Sequence, residues 1–398
     1  MSGLFKYGSL PKQLLSQINR SPLLQSLWAN QNGTAVNSPS TLPLDMRSKD
    51  EIYKNVNMQN AGKLGIEVKA KQGFAYAKEL MKFYKHGVSA VWQNNKKVRK
   101  LKNEGYTLLG LLDRAGKEQG IKIANLEALT KYMAQAIYMN LMENRAEKDA
   151  TTGDVIRTDR ALEACVSPRL FNMSRADFQM IRRTPRDFMK IPMFAVIFTI
   201  FMEMTPVFCY AFPEVTPLTC VLPLILPRIW RSEPLQKLQR EITEAKIGPV
   251  DDYVMKTAFN MPLEHLRLVC ASLRLKTKYI PNSLFPEFVL RKRLHDHFNY
   301  LSVDNYYLSG LNGDGNVWDL SVQELVSACL ERNLVPDCKQ LVEILSKGPI
   351  EKRTDALDEL RLKLVRFIAD FGSANVGYLA VAHLLESPDT KMVKNWRK

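Results

Sequence analysis

Cysteine is scarce in this sequence, and no catalytic or metal-binding motif is present. Only six cysteines occur among 398 residues, too few and too scattered for the disulfide framework of a small secreted domain. No CxxC pair or Cys/His cluster has the spacing of a zinc site. A Ser/His/Asp motif, a phosphate-binding glycine loop and a redox pair are also missing. We therefore expect a protein that is not an enzyme and holds neither a metal nor a cofactor.

One loop has part of a calcium-binding pattern. Oxygen-bearing side chains alternate with glycines in Asn312–Asn316. An EF-hand loop requires glycine at its sixth position and glutamate at its twelfth. Val317 and Gln323 occupy those positions, so the sequence predicts a polar turn here and no EF-hand.

Acidic residues are under-represented in the first half of the chain. The net charge of the whole chain is +15. Residues 1–190 carry +14 of it, residues 191–227 carry −2, and residues 228–398 carry +3. This excess of base indicates an anionic partner, either a nucleic acid or a lipid surface.

The N-terminal segment has no acidic residue before Asp45. It is rich in serine, and its apolar residues at 10, 14, 15 and 18 recur at helical spacing. This composition is typical of a mitochondrial transit peptide, and a disordered polar terminus is the alternative. No apolar segment of secretory type is present, which disfavours export.

The longest apolar run, residues 191–227, predicts a transmembrane segment. Ile191–Phe212 is long enough for one spanning helix, and basic residues precede it. A buried helix of a globular protein is the alternative. The continuation after Phe212 is short and broken by Pro213, Pro217 and Pro223. It therefore predicts an interfacial segment or half of a re-entrant hairpin.

Glu203 is the one ionisable residue inside the predicted span. Charges in a bilayer are costly and often functional, and Pro206, three residues later, frees a backbone carbonyl nearby. We expect Glu203 either to handle a cation and a proton or to stay neutral and serve helix packing.

The rest of the sequence has helical periodicity and no convincing strand. The predicted fold is all-α and membrane-anchored, with one transmembrane helix or a re-entrant hairpin and a C-terminal helical domain. The predicted regions are a leader (1–45), a basic helical region (46–190), the membrane segment (191–227), a helical domain (228–350) and a helical tail (351–398). Candidate phosphate-binding residues of that helical domain are Lys276, Lys278, Arg291, Lys292 and Arg293, and a solvated basic surface is the alternative.

Several short motifs together resemble the Letm family of mitochondrial inner-membrane proteins. The matching residues are Tyr84-Lys85-His86-Gly87, Trp92, Met173–Asp177, Arg182, Arg183, Asp187, Ile191-Pro192, Glu203, Pro206, Phe212-Pro213, Pro217, Thr219, Phe288–Leu294, Asp304, Leu320–Leu325, Ala328-Cys329 and Arg332. The chain lacks the EF-hand and long coiled coil of the larger members and resembles the short ones. It also places Pro206 three residues after Glu203, where the family usually has four.

The resemblance implies a function, a location and partners. It implies an inner-membrane protein whose C-terminal domain faces the matrix, binds the large subunit of the mitochondrial ribosome and supports membrane insertion of mitochondrially encoded proteins. The alternative that it implies is potassium/proton exchange and ion homeostasis, which we centre on Glu203. Inner-membrane lipids, a second copy of the chain and assembly factors of respiratory complexes are further expected partners.

Overall fold

The computed structural model describes residues 22–29, 31–47, 49–59, 65–104, 106–108, 121–123, 125–152, 170–201, 204–244, 253–276, 285–372 and 374–384. These residues are predominantly helical, which confirms the all-α prediction at that level. The structure differs from the all-α prediction by one antiparallel pair of strands, each of three residues, in which Tyr106 lies opposite Ile123. The elements are α1 Pro22–Trp28, α2 Lys49–Gln59, α3 Gly65–Glu104, β1 Tyr106–Leu108, β2 Ile121–Ile123, α4 Leu126–Thr152, α5 Arg175–Phe201, α6 Thr205–Ala211, α7 Leu226–Ile229, α8 Glu233–Glu244, α9 Leu263–Ser272, α10 Glu287–Leu308, α11 Val322–Leu330, α12 Cys338–Lys347, α13 Ile350–Phe371 and α14 Tyr378–Val381.

The chain forms two compact units that interleave in sequence. The larger unit comprises residues 1–37, 104–176 and 230–398, and the smaller unit comprises residues 38–103 and 177–229. The smaller unit therefore combines about half of the predicted basic region with the whole of the predicted membrane segment. Helix α5 starts in the larger unit and continues in the smaller one.

The core of the smaller unit forms between α3 and the apolar run. In α3 the buried side chains recur every three or four residues, among them Leu80, Phe83 and Tyr84, as expected for one face of a helix. They pack against Phe194 of α5 and against apolar side chains that follow it, namely Cys209, Cys220, Val221, Leu222 and Ile225.

The prediction of a transmembrane helix over Ile191–Phe212 was wrong. Helix α5 ends at Phe201 and α6 starts at Thr205, with Pro206 in the first turn of α6, where its missing N–H is tolerated. Short 3₁₀ turns, not half of a hairpin, follow at Leu218–Cys220 and Pro223–Ile225. Among the described residues, no helix combines the length and the apolar character needed to cross a bilayer.

The prediction failed because many of these apolar side chains pack inside the protein. Phe194, Cys209 and Cys220 are at most 3% exposed and lie in the protein core. Length and hydropathy are the same for a helix that faces lipid and a helix that packs against protein. Only the partner helix α3 distinguishes these two cases.

In the larger unit, residues 22–37 of the predicted leader pack into the fold. Leu27 and Val36 are completely buried. The side chain of Asn316 donates hydrogen bonds to the carbonyl oxygens of Ser26 and Ala29, and Trp318 Nε1 donates to the carbonyl of Leu27. This part of the chain is thus built into the larger unit.

The turn at residues 312–316 makes this close packing feasible. Gly315 has a φ of +114°, which L side chains rarely adopt. A Cβ atom at Gly315 would also lie 2.7 Å from the carbonyl oxygen of Gly33. The loop with part of a calcium-binding pattern is therefore a turn that holds the N-terminal segment.

Candidate functional site

From Met189 onward the exposed side of α5 is largely apolar, the reverse of the usual arrangement in a helix of a globular protein. Met189, Met193, Val196 and Ile200 follow one another at steps of four, three and four residues, so they share one face. Their exposed fractions are 82%, 61%, 55% and 66%. Phe194, on the opposite side, is 1% exposed.

Exposed apolar residues continue beyond the end of α5. These are Met204, Val207, Tyr210 and Phe212, and Phe201 is the exposed last residue of α5 itself. We call these five residues and the four on α5 the apolar surface of the smaller unit. The guanidinium carbon of Arg228 lies 4.0 Å from the centre of the Tyr210 ring, which places a cation beside this surface.

Polar contacts fix the turn segment that packs beside α5. Lys190 Nζ donates to the carbonyl oxygen of Thr216 at 3.1 Å and lies 3.5 Å from Asp187 Oδ1. Burial raises the pKa of Asp187, although Lys190 opposes this shift. Thr219 Oγ1 donates to the carbonyl oxygen of Gly87 at 3.0 Å. Lys190 and Thr219 thus make internal contacts beside α5, whereas the apolar side chains named above stay exposed.

The smaller unit is also strongly basic. It contains 19 Lys and Arg against 9 Asp and Glu, a net +10, whereas the larger unit has a net +5. The cations of α3 are exposed along its length, at Lys69, Lys71, Lys78, Lys82, Lys85, Lys96, Lys97, Arg99, Lys100 and Lys102. An apolar surface in a basic unit can bind an anionic amphiphile.

Helix α3 adds exposed apolar residues among these cations. Phe74, Met81 and Trp92 are exposed, and their spacing of 7 and 11 residues places them on one side of the helix. The Trp92 ring lies 5.8 Å from the ring of Phe188, and the Arg99 guanidinium lies 5.4 Å from the same ring.

The structure brings the predicted membrane prolines into the smaller unit but not into an ion site. Pro206 begins α6, and Pro213 and Pro217 are buried in the turns that follow. Glu203 lies outside the described residues. Nothing in the described part of the smaller unit therefore supports the predicted ion chemistry.

The predicted phosphate-binding residues of α10 already have partners within the larger unit. Arg291 donates to Glu287 Oε1 at 2.7 Å and to the carbonyl oxygens of Ala258 and Met261. Arg293 Nη1 donates to the carbonyl of Leu275. Lys292 Nζ lies 2.7 Å from Glu127 Oε1.

The two other predicted phosphate-binding residues precede α10. Burial, followed by the nearby Arg267 charge, lowers the pKa of Lys276, and Lys278 lies outside the described residues. Anion binding by the five predicted residues stays a prediction, but the structure uses Arg291 and Arg293 to join segments of the fold.

A second polar cluster, the buried ion network, lies inside the larger unit. Arg175, Asp304, Glu324 and Arg332 are completely buried. Arg175 Nε donates to Asp304 Oδ1 at 2.8 Å, Arg332 Nη2 donates to Asp304 Oδ2 at 2.7 Å, and Arg175 Nη1 lies 3.3 Å from Glu324 Oε2. Burial alone would raise the pKa of Asp304, but the two guanidinium groups hold it well below its usual value. This network joins three distant parts of the chain and is not accessible to a ligand.

A family model described as the pentamidine resistance factor domain matches residues 36–309, more than half of the chain. The chain belongs to this family. The pentamidine resistance factor match covers the whole of the smaller unit, including the apolar surface, and it ends directly after α10. No curated protein and no solved structure gave a significant match.

This family corrects the resemblance to Letm proteins and the functions that it implied. The chain matches the pentamidine resistance factor family, a different family, and no Letm match occurs. Mitochondrial ribosome binding and potassium/proton exchange therefore lose their basis. Several of the motif residues make internal contacts, as Gly87 does with Thr219 and Arg175 does with Asp304. Such pairs serve helix packing and the pairing of buried charges. Unrelated helical proteins contain similar pairs for the same reasons.

The apolar surface is the feature that sequence reasoning missed. Residues 191–201 are apolar around the whole helix except for Thr199, so their sequence does not mark which side is exposed. What the sequence could not supply is which side of α5 faces α3.

Proposed function

We propose that this member of the pentamidine resistance factor family associates with the surface of an anionic membrane through its smaller unit and is not an enzyme. The apolar surface is the observation that carries the proposal. Contiguous exposed apolar side chains on a protein mark an interaction site. A basic unit that carries such a surface has the chemistry of an interfacial membrane-binding element.

The arrangement fits a helix that lies in the bilayer interface. An interfacial helix buries its apolar side roughly 5–10 Å into the boundary between headgroups and acyl chains. The first and last of the four exposed residues of α5 are eleven residues apart, about 16 Å along the axis at 1.5 Å per residue. Met204, Val207, Tyr210 and Phe212 add exposed apolar side chains beyond α5, so insertion would not depend on one side chain.

The charge of the smaller unit selects the lipid. Each Lys or Arg close to an anionic membrane contributes roughly 1 kcal/mol of attraction, which salt weakens. The exposed cations of α3 have the sign that phosphate headgroups require. We therefore commit to an anionic bilayer as the partner, and a hydrophobic protein partner is a competing outcome of the test.

The location that we propose is the mitochondrial inner membrane, with the larger unit on the matrix side. The first 21 residues, which precede α1, contain Lys6, Lys12 and Arg20 and no acid, and this composition supports import into mitochondria. A second copy of the chain and assembly factors of respiratory complexes are the protein partners that we propose at this membrane.

The test is vesicle flotation with two matched variants. Ile200→Glu places a carboxylate on the apolar surface, and Ile350→Glu makes the same change at a residue of the larger unit that is 79% exposed. Wild type and Ile350→Glu should float with vesicles of phosphatidylcholine containing 30% cardiolipin. We expect Ile200→Glu to bind roughly tenfold more weakly, because an apolar contact is lost and a like charge is added.

A salt series and neutral vesicles separate the two contributions. Binding should fall as salt rises and should be weaker to pure phosphatidylcholine vesicles. Equal flotation of Ile200→Glu and Ile350→Glu would remove the apolar surface from the proposal. If the wild type does not float but binds a protein partner that Ile200→Glu no longer binds, the apolar surface is a protein interface.

The family description supplies a cellular readout for the same two variants. If this chain shares the property that gives the family its description, cells that carry only Ile200→Glu should tolerate less pentamidine than cells with Ile350→Glu. Protein levels measured by immunoblot control for instability. Equal tolerance would separate membrane binding from pentamidine resistance.

A further inference from the structure

The apolar surface contains three exposed methionines. Met189, Met193 and Met204 are 82%, 61% and 54% exposed. Met189 and Met193 lie one turn apart on the same side of α5. The thioether is apolar and flexible and suits an irregular apolar contact, but it is also readily oxidised.

Three of the other described methionines are protected, whereas Met58, Met81, Met139 and Met255 are exposed outside the apolar surface. Met133 and Met261 in the larger unit and Met180 in the smaller unit are at most 7% exposed. A peroxide in water therefore reaches the methionines of the apolar surface much more readily than these buried ones. Met58 of α2 is 76% exposed and lies outside the apolar surface, so it provides an internal comparison.

The described cysteines do not compete for the oxidant. Cys209, Cys220, Cys270, Cys329 and Cys338 are free and buried. Burial raises the pKa of Cys220 to about 12, so its thiol stays protonated at neutral pH and reacts slowly. Among the described sulfur-containing side chains, the exposed methionines are the accessible ones.

We propose that Met189, Met193 and Met204 form an oxidation site whose sulfoxide form releases the protein from the membrane. A peroxide transfers one oxygen atom to the thioether sulfur. The S–O bond forms as the O–O bond breaks, the sulfur is oxidised by two electrons, and hydrogen peroxide leaves as water. The product is a polar sulfoxide in place of an apolar side chain.

The consequence follows from the proposed membrane contact, on which this inference rests. A sulfoxide retains its hydration and opposes insertion among acyl chains, so three of them weaken the interfacial contact together. Reduction of the sulfoxide restores the thioether. The apolar surface would then bind the membrane reversibly according to the level of peroxide.

The experiment compares vesicle binding before and after hydrogen peroxide treatment, with the sulfoxides located by peptide mass spectrometry. Wild type should bind roughly tenfold more weakly after treatment, and methionine sulfoxide reductase should restore binding. The triple variant Met189→Leu/Met193→Leu/Met204→Leu keeps apolar side chains of similar volume. It should bind before treatment and stay bound after it.

Met58→Leu is the matched control and should lose binding after treatment as the wild type does. Equal loss in the triple leucine variant would overturn the proposal by placing the sensitive group elsewhere. Unchanged binding of wild type that carries all three sulfoxides would overturn it as well. If untreated wild type does not bind the vesicles, both this inference and the proposed membrane association are overturned. If untreated wild type binds and oxidation of the three methionines changes nothing, only this inference is overturned.

Discussion

The two units of this chain differ in how many apolar side chains they leave exposed. The larger unit buries a complete ion network, with Arg175, Asp304, Glu324 and Arg332 all at 0% exposure. The smaller unit has 119 of the 398 residues but contributes 16 of the 24 large apolar side chains that are exposed in the described part of the chain. The larger unit thus contains a buried ion network, whereas the smaller one exposes apolar surface that is available to a partner.

The difference shows why buried and exposed features need separate explanations. A buried ion network gains little net stability over well-packed apolar residues, but removal of one member is costly. Exposed apolar area adds nothing to folding and is retained when it serves an interaction. The network is therefore a structural element, and the apolar surface is the candidate for function.

The largest expected effect comes from breaking the ion network. Asp304→Ala leaves Arg175 and Arg332 buried without their shared carboxylate. The free energy of unfolding should fall by about 3–5 kcal/mol, measured by urea unfolding followed by circular dichroism. Lys292→Ala, which removes an exposed ion pair with Glu127, is the control and should leave stability unchanged. Similar unfolding curves for the two variants would contradict a structural role for the network.

A second buried carboxylate in the larger unit should give stability a pH dependence. Burial raises the pKa of Asp370 to about 6, although Arg366 and a hydrogen bond from Tyr378 oppose the shift. The unfolded carboxyl ionises near pH 4, so between pH 4 and 6 the folded state binds the proton more strongly. The free energy of unfolding should therefore fall as the pH rises through this window, by at most about 3 kcal/mol.

Asp370→Asn isolates this contribution because it removes the ionisable group and keeps the shape. The free energy of unfolding of wild type minus that of Asp370→Asn should decrease from pH 4 to pH 6 and stay constant above it. Urea unfolding at half-unit pH intervals measures this difference. A constant difference across the window would contradict the raised pKa.

A smaller effect tests the packing of the smaller unit. A Cβ atom at Gly87 would lie 2.6 Å from Cys220 Sγ and 2.8 Å from the carbonyl oxygen of Thr219. Gly87→Ala should therefore reduce the free energy of unfolding by about 1–3 kcal/mol, measured by thermal and urea unfolding. Gly73 lies in the same helix with nothing within 4 Å of its Cβ position.

Gly73→Ala is the matched control, and alanine should raise the free energy of unfolding by up to about 1 kcal/mol through its higher helix propensity. Opposite signs for the two changes would confirm that α3 packs closely at residue 87 only. Equal effects would contradict the close approach of Gly87 to the Thr219–Cys220 turn.

Part of the architecture was predictable from the sequence because it depends on neighbouring residues. Apolar spacing predicted helices, and α11 begins after Ser321, a residue type suited to a helix N-cap, whose Oγ accepts from the backbone N–H of Glu324. The apolar surface was not predictable in this way. Its residues and the core residues of the same run differ only in the direction in which they face.

The family assignment shows the same limit. The motifs quoted for the Letm resemblance include residues that the fold brings together over long distances in sequence, such as Arg175 with Asp304 and Gly87 with Thr219. Short motifs that occur in the same order along a chain can arise from helix packing alone. Similar motifs therefore occur in unrelated helical families. A family model over residues 36–309 uses the whole pattern and separates the two families.

The sequence by itself determined the helical content and the basic character of the chain, because these follow from local propensity, side-chain periodicity and charge. The tertiary structure alone decided that the longest apolar run would divide between a core and an exposed surface. The reason is that burial is a property of two surfaces, and the surface of α3 that covers one side of α5 lies about a hundred residues earlier in the chain.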